Sequence, residues 1–202
     1  MSKKMRVLTG VVAAALVAVG GLAVSTSAEA SVGTGPWTVI NPSFTTQQKG
    51  CGSVSGLTFK LTCSTASGEQ RAERRYATYS SGTRQFEGYF KINSMSGTRI
   101  SLKQTFNQDD GPYFLLAVES GGRLYSVEGG ATLASGATVG TTVRVNTIHA
   151  LGSNLKVYIN GSLKQTIASS SGNFYDKFGA YRTASGAGPI SVTWSNVTFY
   201  SK

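Results

Sequence analysis

Alternating apolar and polar side chains dominate the chain from Gln70 onward. In residues 85–92, Phe86, Phe90 and Ile92 fall on one face of an extended strand, and the residues between them fall on the other. Similar alternation or short apolar runs cover residues 100–106, 112–119, 143–150, 155–159 and 190–200. No segment of helical length has helical periodicity. This succession of short strands predicts an all-β sandwich or jelly roll.

Short turn signals separate several of these segments. Gly121-Gly122 and Asn160-Gly161 are dipeptides typical of tight β-hairpins, and each lies between strand-like runs. The chain has 202 residues and shows neither an internal repeat nor a linker. We therefore expect one folded domain.

Residues 1–30 follow a different pattern. Lys3, Lys4 and Arg6 precede the apolar residues 7–24, and the small-residue triplet Ala28-Glu29-Ala30 follows. This order is typical of a secretory signal peptide and leaves residues 31–202 as the mature domain. The alternative is an uncleaved membrane anchor, and no later segment is long and apolar enough to span a bilayer. We expect a secreted, extracellular protein that has no membrane association after cleavage.

Export also bears on the two cysteines of the chain. Cys51 and Cys63 flank the strand-like residues 57–61. Two cysteines in an oxidising compartment usually pair, so we predict a disulfide across an early hairpin. A catalytic thiol is the alternative.

The charge of the chain is strongly positive. It has 19 Lys and Arg against 9 Asp and Glu, a net charge of +10, and removal of residues 1–30 leaves +8. Such a surface attracts polyanions, and for an exported protein an acidic polysaccharide is a better partner than nucleic acid. A role in solubility alone is the alternative. A single His and two Cys exclude His-rich and multi-Cys metal sites, and we predict no metal and no cofactor.

The first of three polar strand segments contains Arg71, Glu73 and Arg75. Their spacing places all three side chains on one face of a strand. The Glu73 carboxylate would hold the two arginines in place. Such a pair suits a ligand that carries a carboxylate, because guanidinium groups bind carboxylates in a bidentate manner. The alternative is a surface salt-bridge ladder, which stabilises little.

The second segment contains Gln104 between Lys103 and Thr105. Strict alternation places Gln104 on the same face as Leu102 and Phe106. A lone amide among apolar neighbours needs a partner or a ligand. A structural glutamine with a satisfied amide is the alternative.

The third segment places Tyr175, Lys177, Gly179 and Tyr181 on one face of a strand. Gly179 leaves room for a substrate between Lys177 and Tyr181. A cation beside a phenol lowers the pKa of the phenol, which would make Tyr181 a usable acid or base. Because the chain has nine tyrosines, packing alone is the alternative for any one of them.

Together and in this order, the three segments resemble the alginate lyases of polysaccharide lyase family 7 and their jelly-roll relatives, which include glucuronan lyases. That family carries an R-x-E-x-R strand, a Q-I-H strand and a Y-F-K-A-G-x-Y-x-Q strand. The counterparts are residues 71–75, 104–106 and 175–183, and residues 157–161 match a V-x-I-N-G element.

The resemblance implies a concanavalin-like β-jelly roll of two antiparallel sheets that cleaves a polyuronate by β-elimination. Arg75 and Gln104 would neutralise the substrate carboxylate, and Tyr181 would serve as the acid and also as the base. The expected partner is an acidic polysaccharide, and we expect a monomer. The residues expected to bind substrate are Arg71, Glu73, Lys103, Tyr175, Lys177 and Arg182.

The chain departs from the family at Phe106, which replaces the histidine of Q-I-H. The only histidine, His149, lies in the strand-like residues 143–150, where its alternation favours a buried structural role. Either the protein is inactive or Tyr181 transfers both protons. H5 and O4 lie on the same face of the ring in β-linked mannuronate and glucuronate, and on opposite faces in guluronate. A single Tyr181 therefore predicts preference for mannuronate- or glucuronate-type chains.

Two other classes of function stay open. A jelly-roll glycoside hydrolase needs two carboxylates flanking the scissile bond, and the chain lacks the E-x-D-x-x-E strand of laminarinase-like enzymes. A non-catalytic, lectin-like binder of acidic glycans would keep the arginine face without using Tyr181. The reaction product distinguishes the lyase from the hydrolase and the lectin-like binder, because only a lyase forms an unsaturated uronate end.

Overall fold

The computed structural model describes residues 32–64, 68–183, 186 and 188–202, and the predicted signal peptide lies outside them. Within these ranges, no helix has the length and apolar character needed to cross a bilayer. The described residues form strands joined by turns, with these bounds: β1 Thr38–Ile40, β2 Phe44–Lys49, β3 Gly52–Ser55, β4 Thr58–Leu61, β5 Gln70–Tyr76, β6 Thr83–Met95, β7 Arg99–Asn107, β8 Gly111–Glu119, β9 Leu124–Ser126, β10 Thr132–Ala134, β11 Thr142–Ala150, β12 Asn154–Ile159, β13 Ser162–Ala168, β14 Phe174–Arg182 and β15 Ile190–Ser201.

The strands form two antiparallel sheets that pack face to face. The eight-stranded sheet has the order β13-β12-β11-β6-β15-β4-β3, and β1 also pairs with β15. The seven-stranded sheet has the order β10-β9-β8-β7-β14-β5-β2. The prediction of an all-β jelly roll sandwich of two antiparallel sheets is confirmed.

An aromatic core joins the two sheets. Phe178 on β14 points inward, and its ring centre lies 5.1 Å from that of Trp194 and 5.6 Å from those of Phe59 and Phe86. These rings are almost fully buried. Because β14 alternates, burial of Phe178 directs Lys177 to the opposite, outer face of the seven-stranded sheet.

A β-bulge in β7 changes which residues share its outer face. Ser101 pairs with Ala117 on β8 and Lys103 pairs with Leu116, so two steps along β7 oppose one step along β8. An extra residue of this kind reverses the alternation beyond it. Leu102 therefore packs in the core, whereas Gln104 reaches the outer face. The predicted shared face of Leu102 and Gln104 is wrong for this reason.

The predicted disulfide between Cys51 and Cys63 is confirmed, and it closes the β3–β4 hairpin. The backbone N–H of Cys51 donates to Gln70 Oε1 at 2.7 Å. Gln70 is the first residue of β5, so this contact fastens the bridged hairpin to the start of the strand that carries the first polar segment.

Candidate active site

A cleft of about 480 Å³ lies on the outer face of the seven-stranded sheet. Its walls combine cationic, acidic, amide and aromatic side chains, a composition suited to a polar ligand with charged groups. The lining residues are Gln47, Glu69, Arg71, Arg75, Gln104, Phe106, Pro112, Leu115, Val127, Glu128, Tyr175, Lys177, Tyr181 and Thr183.

Strand pairing brings the three polar segments together. On one side of β14, Lys177 pairs with Arg75 and Tyr181 pairs with Arg71, both on β5. On its other side, Lys177 pairs with Gln104 on β7. The central strand therefore places Lys177 between a guanidinium and an amide, and six of the predicted site residues reach one cleft.

The guanidinium group of Arg71 lies close to two carboxylates and an aromatic ring of the protein. Its Nε lies 3.3 Å from Glu73 Oε2, and its Nη2 lies 3.5 Å from Glu69 Oε2. The guanidinium carbon also lies 4.7 Å from the ring centre of Tyr181. Two carboxylates thus oppose the charge of Arg71, which limits what it offers to a substrate.

Arg75 has a different environment. Its guanidinium carbon lies 3.9 Å from the ring centre of Tyr175, and its Nη2 donates to Thr78 Oγ1 at 3.4 Å. Among the described residues, no carboxylate lies within ion-pair distance of Arg75. Its charge is therefore better placed than that of Arg71 to bind an anionic group in the cleft.

Glu73 lies beneath the cleft with no solvent exposure, so the expectation that it binds substrate is corrected. Its Oε1 accepts a hydrogen bond from Gln104 Nε2 at 2.6 Å. Burial raises the pKa of the Glu73 carboxyl to about 7, against the opposing effects of Lys177, Arg71 and Gln104. The Gln104 amide thus has a protein partner on its nitrogen, which holds the side chain at the floor of the cleft.

Tyr181 donates its hydroxyl hydrogen to Glu69 Oε1 at 2.8 Å. Burial, followed by the hydrogen bond and charge of Glu69, raises the pKa of Tyr181 to about 12, while Arg71 opposes this shift. The prediction that the pKa of Tyr181 is lowered is wrong, because burial and the contact with the Glu69 carboxylate both raise it. At neutral pH the phenol keeps its proton, as a general acid requires.

Phe106 supplies an aromatic surface where the family motif has a histidine. Its ring stacks on Tyr175 with centres 5.1 Å apart and planes 17° apart. The Lys177 amino nitrogen lies 5.3 Å from the Phe106 ring centre and 5.5 Å from that of Tyr175. Burial lowers the pKa of Lys177, and Glu73 opposes this shift. This end of the cleft thus offers two stacked rings and a cation for holding a sugar.

Two further residues expected to bind substrate lie away from the cleft. Lys103 is fully buried, and its Nζ contacts Asp176 Oδ1 and Thr105 Oγ1 in the interior. Arg182 is 4% exposed and donates from Nη2 to the Gly68 carbonyl at 2.7 Å. Each neighbours a cleft residue in sequence, so alternation turns its side chain to the opposite face. Both expectations are corrected by the structure.

Gly179 does not provide space for a substrate. A Cβ at this position would lie 2.3 Å from the Ala72 carbonyl oxygen and 2.8 Å from Phe59 Cδ1. Its φ of +145° also disfavours other residues. Glycine is required here because β14 approaches β5 closely, and the interpretation as open space between Lys177 and Tyr181 is corrected.

His149 is 2% exposed and lies outside the cleft. Its Nδ1 is 3.0 Å from the Tyr79 hydroxyl, and its Nε2 is 2.7 Å from Ser169 Oγ. Its ring centre lies 4.5 Å from that of Phe174, and burial lowers its pKa to about 4. The expected structural role of His149 agrees with these contacts.

Glu69 is one of the cleft residues that the sequence analysis does not identify. It lies two positions before Arg71, so the strand periodicity that groups Arg71, Glu73 and Arg75 extends to it. The three motif segments do not include Glu69, because it precedes the first of them. In the described part of the chain, no group of three or more His, Cys, Asp and Glu side chains is arranged to hold a metal ion.

No protein-family model matches the chain, and no curated protein matches it in sequence. Solved structures do match it. An alginate lyase from Corynebacterium sp. superposes with a TM-score of 0.61 at 21% identity, covering 71% of this chain and 76% of that one. An alginate lyase of polysaccharide lyase family 7 gives a TM-score of 0.58 at 25% identity, covering 72% and 78%.

An alginate lyase from Pseudomonas aeruginosa gives a TM-score of 0.60 at 17% identity, covering 77% of this chain and 88% of that one. The family 7 alginate lyase from the marine species Zobellia galactanivorans gives 0.57 at 17% identity, covering 75% and 80%. The chain therefore has the β-jelly-roll fold of alginate lyases, including those of the polysaccharide lyase family that its three strand segments resemble.

Proposed function

We propose that the protein is a secreted polysaccharide lyase that cleaves a mannuronate- or glucuronate-type polyuronate by β-elimination. The observation that supports this most is the meeting of Arg75, Gln104 and Tyr181 in one cleft, on three adjacent strands. These side chains supply a cation, an amide and a proton donor, which are the groups that β-elimination of a uronate needs. The fold that the chain shares with alginate lyases also supports it.

Cleavage begins with neutralisation of the uronate carboxylate, which makes the C5 proton acidic. Arg75 can form a bidentate pair with this carboxylate because, among the residues that the structure describes, no carboxylate forms an ion pair with it. Lys177 lies beside Arg75 on the adjoining strand β14, and Gln104 lies on the far side of Lys177 on β7. Stabilisation of the enolate-like intermediate by these groups is the largest expected contribution to the rate.

Tyr181 then acts on both protons in turn. It removes the proton from C5 and later protonates O4 of the departing sugar. Because its pKa is about 12, the phenol of Tyr181 is protonated at neutral pH and has a proton to donate to O4. Because Phe106 cannot accept a proton, only a substrate with H5 and O4 on one face of the ring suits this site.

A lectin-like role is the second candidate, and the aromatic stack favours it. Phe106 and Tyr175 present ring surface beside Lys177 and Arg75, an arrangement that binds an acidic sugar without any proton transfer.

The test mixes the purified protein with polymannuronate, polyguluronate and glucuronan in turn and records ultraviolet absorbance of the unsaturated product. We expect activity on polymannuronate or glucuronan, and Tyr181→Phe is expected to lower kcat by roughly 100-fold or more. The control is Tyr89→Phe on β6, which removes a hydroxyl that donates to Glu87 in the other sheet.

The outcomes separate the two candidates. Substantial activity on polyguluronate would contradict the same-face argument. Absence of product from all three polymers, together with salt-sensitive binding to one of them, would support the lectin-like role and contradict the lyase.

A further inference from the structure

Glu69 is the carboxylate closest to the phenol of Tyr181. Its Oε1 accepts the Tyr181 hydroxyl hydrogen at 2.8 Å, and its Oε2 lies 3.5 Å from both Lys49 Nζ and Arg71 Nη2. The Glu69 side chain is 45% exposed and lines the cleft. One Glu69 oxygen therefore accepts the hydrogen bond of Tyr181, and the other lies near two cations.

The direction of this hydrogen bond determines what Tyr181 offers to a substrate. Because its only hydroxyl hydrogen points to Glu69, the phenol oxygen can only accept from other groups. Arg71 hydrogen-bonds to one side of this oxygen, and a second lone pair remains to receive a proton. A phenol oriented in this way is arranged as a base, provided that its own proton has an acceptor. Phe106 offers no such acceptor in the cleft.

We propose that Glu69 is a positioning residue that makes Tyr181 a base by accepting its phenol proton during removal of the C5 proton. This inference rests on the proposed lyase function. In this proposal, Glu69 and Tyr181 together carry out the proton transfer that a histidine performs in the family motif.

The proton count is conserved through the cycle. In the first step, the C5–H bond breaks, its proton goes to the Tyr181 oxygen, and the original phenol proton goes to Glu69. The electron pair from C5 enters the enolate that Arg75 and Gln104 stabilise. In the second step, the enolate electron pair forms the C4=C5 double bond and the C4–O4 bond breaks, its electron pair leaving with O4. Tyr181 protonates O4, and Glu69 returns its proton to Tyr181.

The surroundings of Glu69 keep it ionised and ready to accept. The Tyr181 hydrogen bond and the charges of Arg71 and Lys49 lower its pKa, against an opposing effect of burial. Lys177 adds a further positive charge in the cleft, since it interacts electrostatically with Glu69. Glu73 is not equivalent, because it lies below the cleft floor and accepts from Gln104 instead.

The first measurement is the pH dependence of kcat for Glu69→Gln. Glutamine accepts a hydrogen bond but no proton, so we expect kcat at neutral pH to fall by roughly 100-fold. The remaining activity should rise about tenfold per pH unit towards the pKa of Tyr181, because only the phenolate is then a base. The unaltered protein should show no such slope at neutral pH.

The second measurement follows ionisation of Tyr181 by ultraviolet difference absorbance against Tyr181→Phe. Glu69 raises the pKa of Tyr181 to about 12 together with burial, so Glu69→Gln should lower that pKa. Glu69→Asp, which retains a proton acceptor, should keep a flat profile at neutral pH. Glu119→Gln is the matched control, since Glu119 pairs with Arg123 outside the cleft.

Each outcome bears on the proposal. A Glu69→Gln protein with unaltered kcat and a flat pH profile overturns this inference and leaves the lyase function standing. A loss of kcat without the alkaline rise also overturns it, since that is the behaviour of a structural residue. An unaltered protein without lyase activity overturns both proposals.

Discussion

Glu73 is a carboxylate with no solvent exposure, and its environment makes the stability of the fold depend on pH. Burial raises its pKa from the ordinary value of 4.5 to about 7 in the folded chain. Between these values, the folded state binds more protons than the unfolded state. The free energy of unfolding should therefore fall as pH rises through this range and level off above it.

Glu73→Gln should remove this contribution. A shift of this size corresponds to a change on the order of 3 kcal/mol in the free energy of unfolding. Urea denaturation of both proteins from pH 4 to pH 8 measures it, and the difference between the two curves isolates Glu73 from other carboxylates. If the free energies of unfolding of the two proteins change with pH in parallel, burial does not raise the pKa of Glu73.

Contact between β14 and β5 depends on Gly179. A Cβ at this position would lie 2.3 Å from the Ala72 carbonyl oxygen, so the two strands would have to separate. Arg71 and Arg75 lie on β5, and Lys177 and Tyr181 lie on β14. Separation would therefore disrupt the cleft without removing any polar group.

Gly179→Ala should lower the free energy of unfolding by about 1–3 kcal/mol, as overpacking typically does, and should lower lyase activity as well. Thermal unfolding and product absorbance measure the two effects. Gly121→Ala is the control, because a Cβ there has no atom within 4 Å and its φ is not positive. Equal effects of the two substitutions would contradict the close-approach argument.

The disulfide of Cys51 and Cys63 affects the stability of the entire sandwich. It closes a short hairpin loop, and the loop-entropy estimate for such a bridge is roughly 3 kcal/mol. The double substitution Cys51→Ser and Cys63→Ser should lower the free energy of unfolding by that amount. Urea denaturation with and without reductant measures it, and reductant should affect only the unaltered protein.

Much of the architecture was predictable from local patterning. Residues 85–92 alternate because Phe86 and Phe90 enter the core while their neighbours do not, and the structure forms β6 Thr83–Met95 there. The spacing of Arg71 and Arg75 likewise places both in the cleft. These predictions hold because side-chain direction along a strand has a period of two residues, which the sequence displays directly.

Contacts between distant strands could not be predicted in this way. The bulge at Leu102 reverses the face of Gln104, and only the pairing of β7 with its neighbours reveals it. Glu69 contacts Tyr181 across 112 positions of sequence. Burial and that contact both raise the pKa of Tyr181, whereas the sequence predicts that it is lowered.

The amino-acid sequence thus specifies the strands, their buried faces and the types of side chain on their outer faces, because these follow from local periodicity. Strand register, the position of the bulge and the partner of each charged group arise when the sheets assemble. Since electrostatic effects depend on distances between residues far apart in the chain, the chemistry of Tyr181 and Glu73 is a property of the assembled cleft.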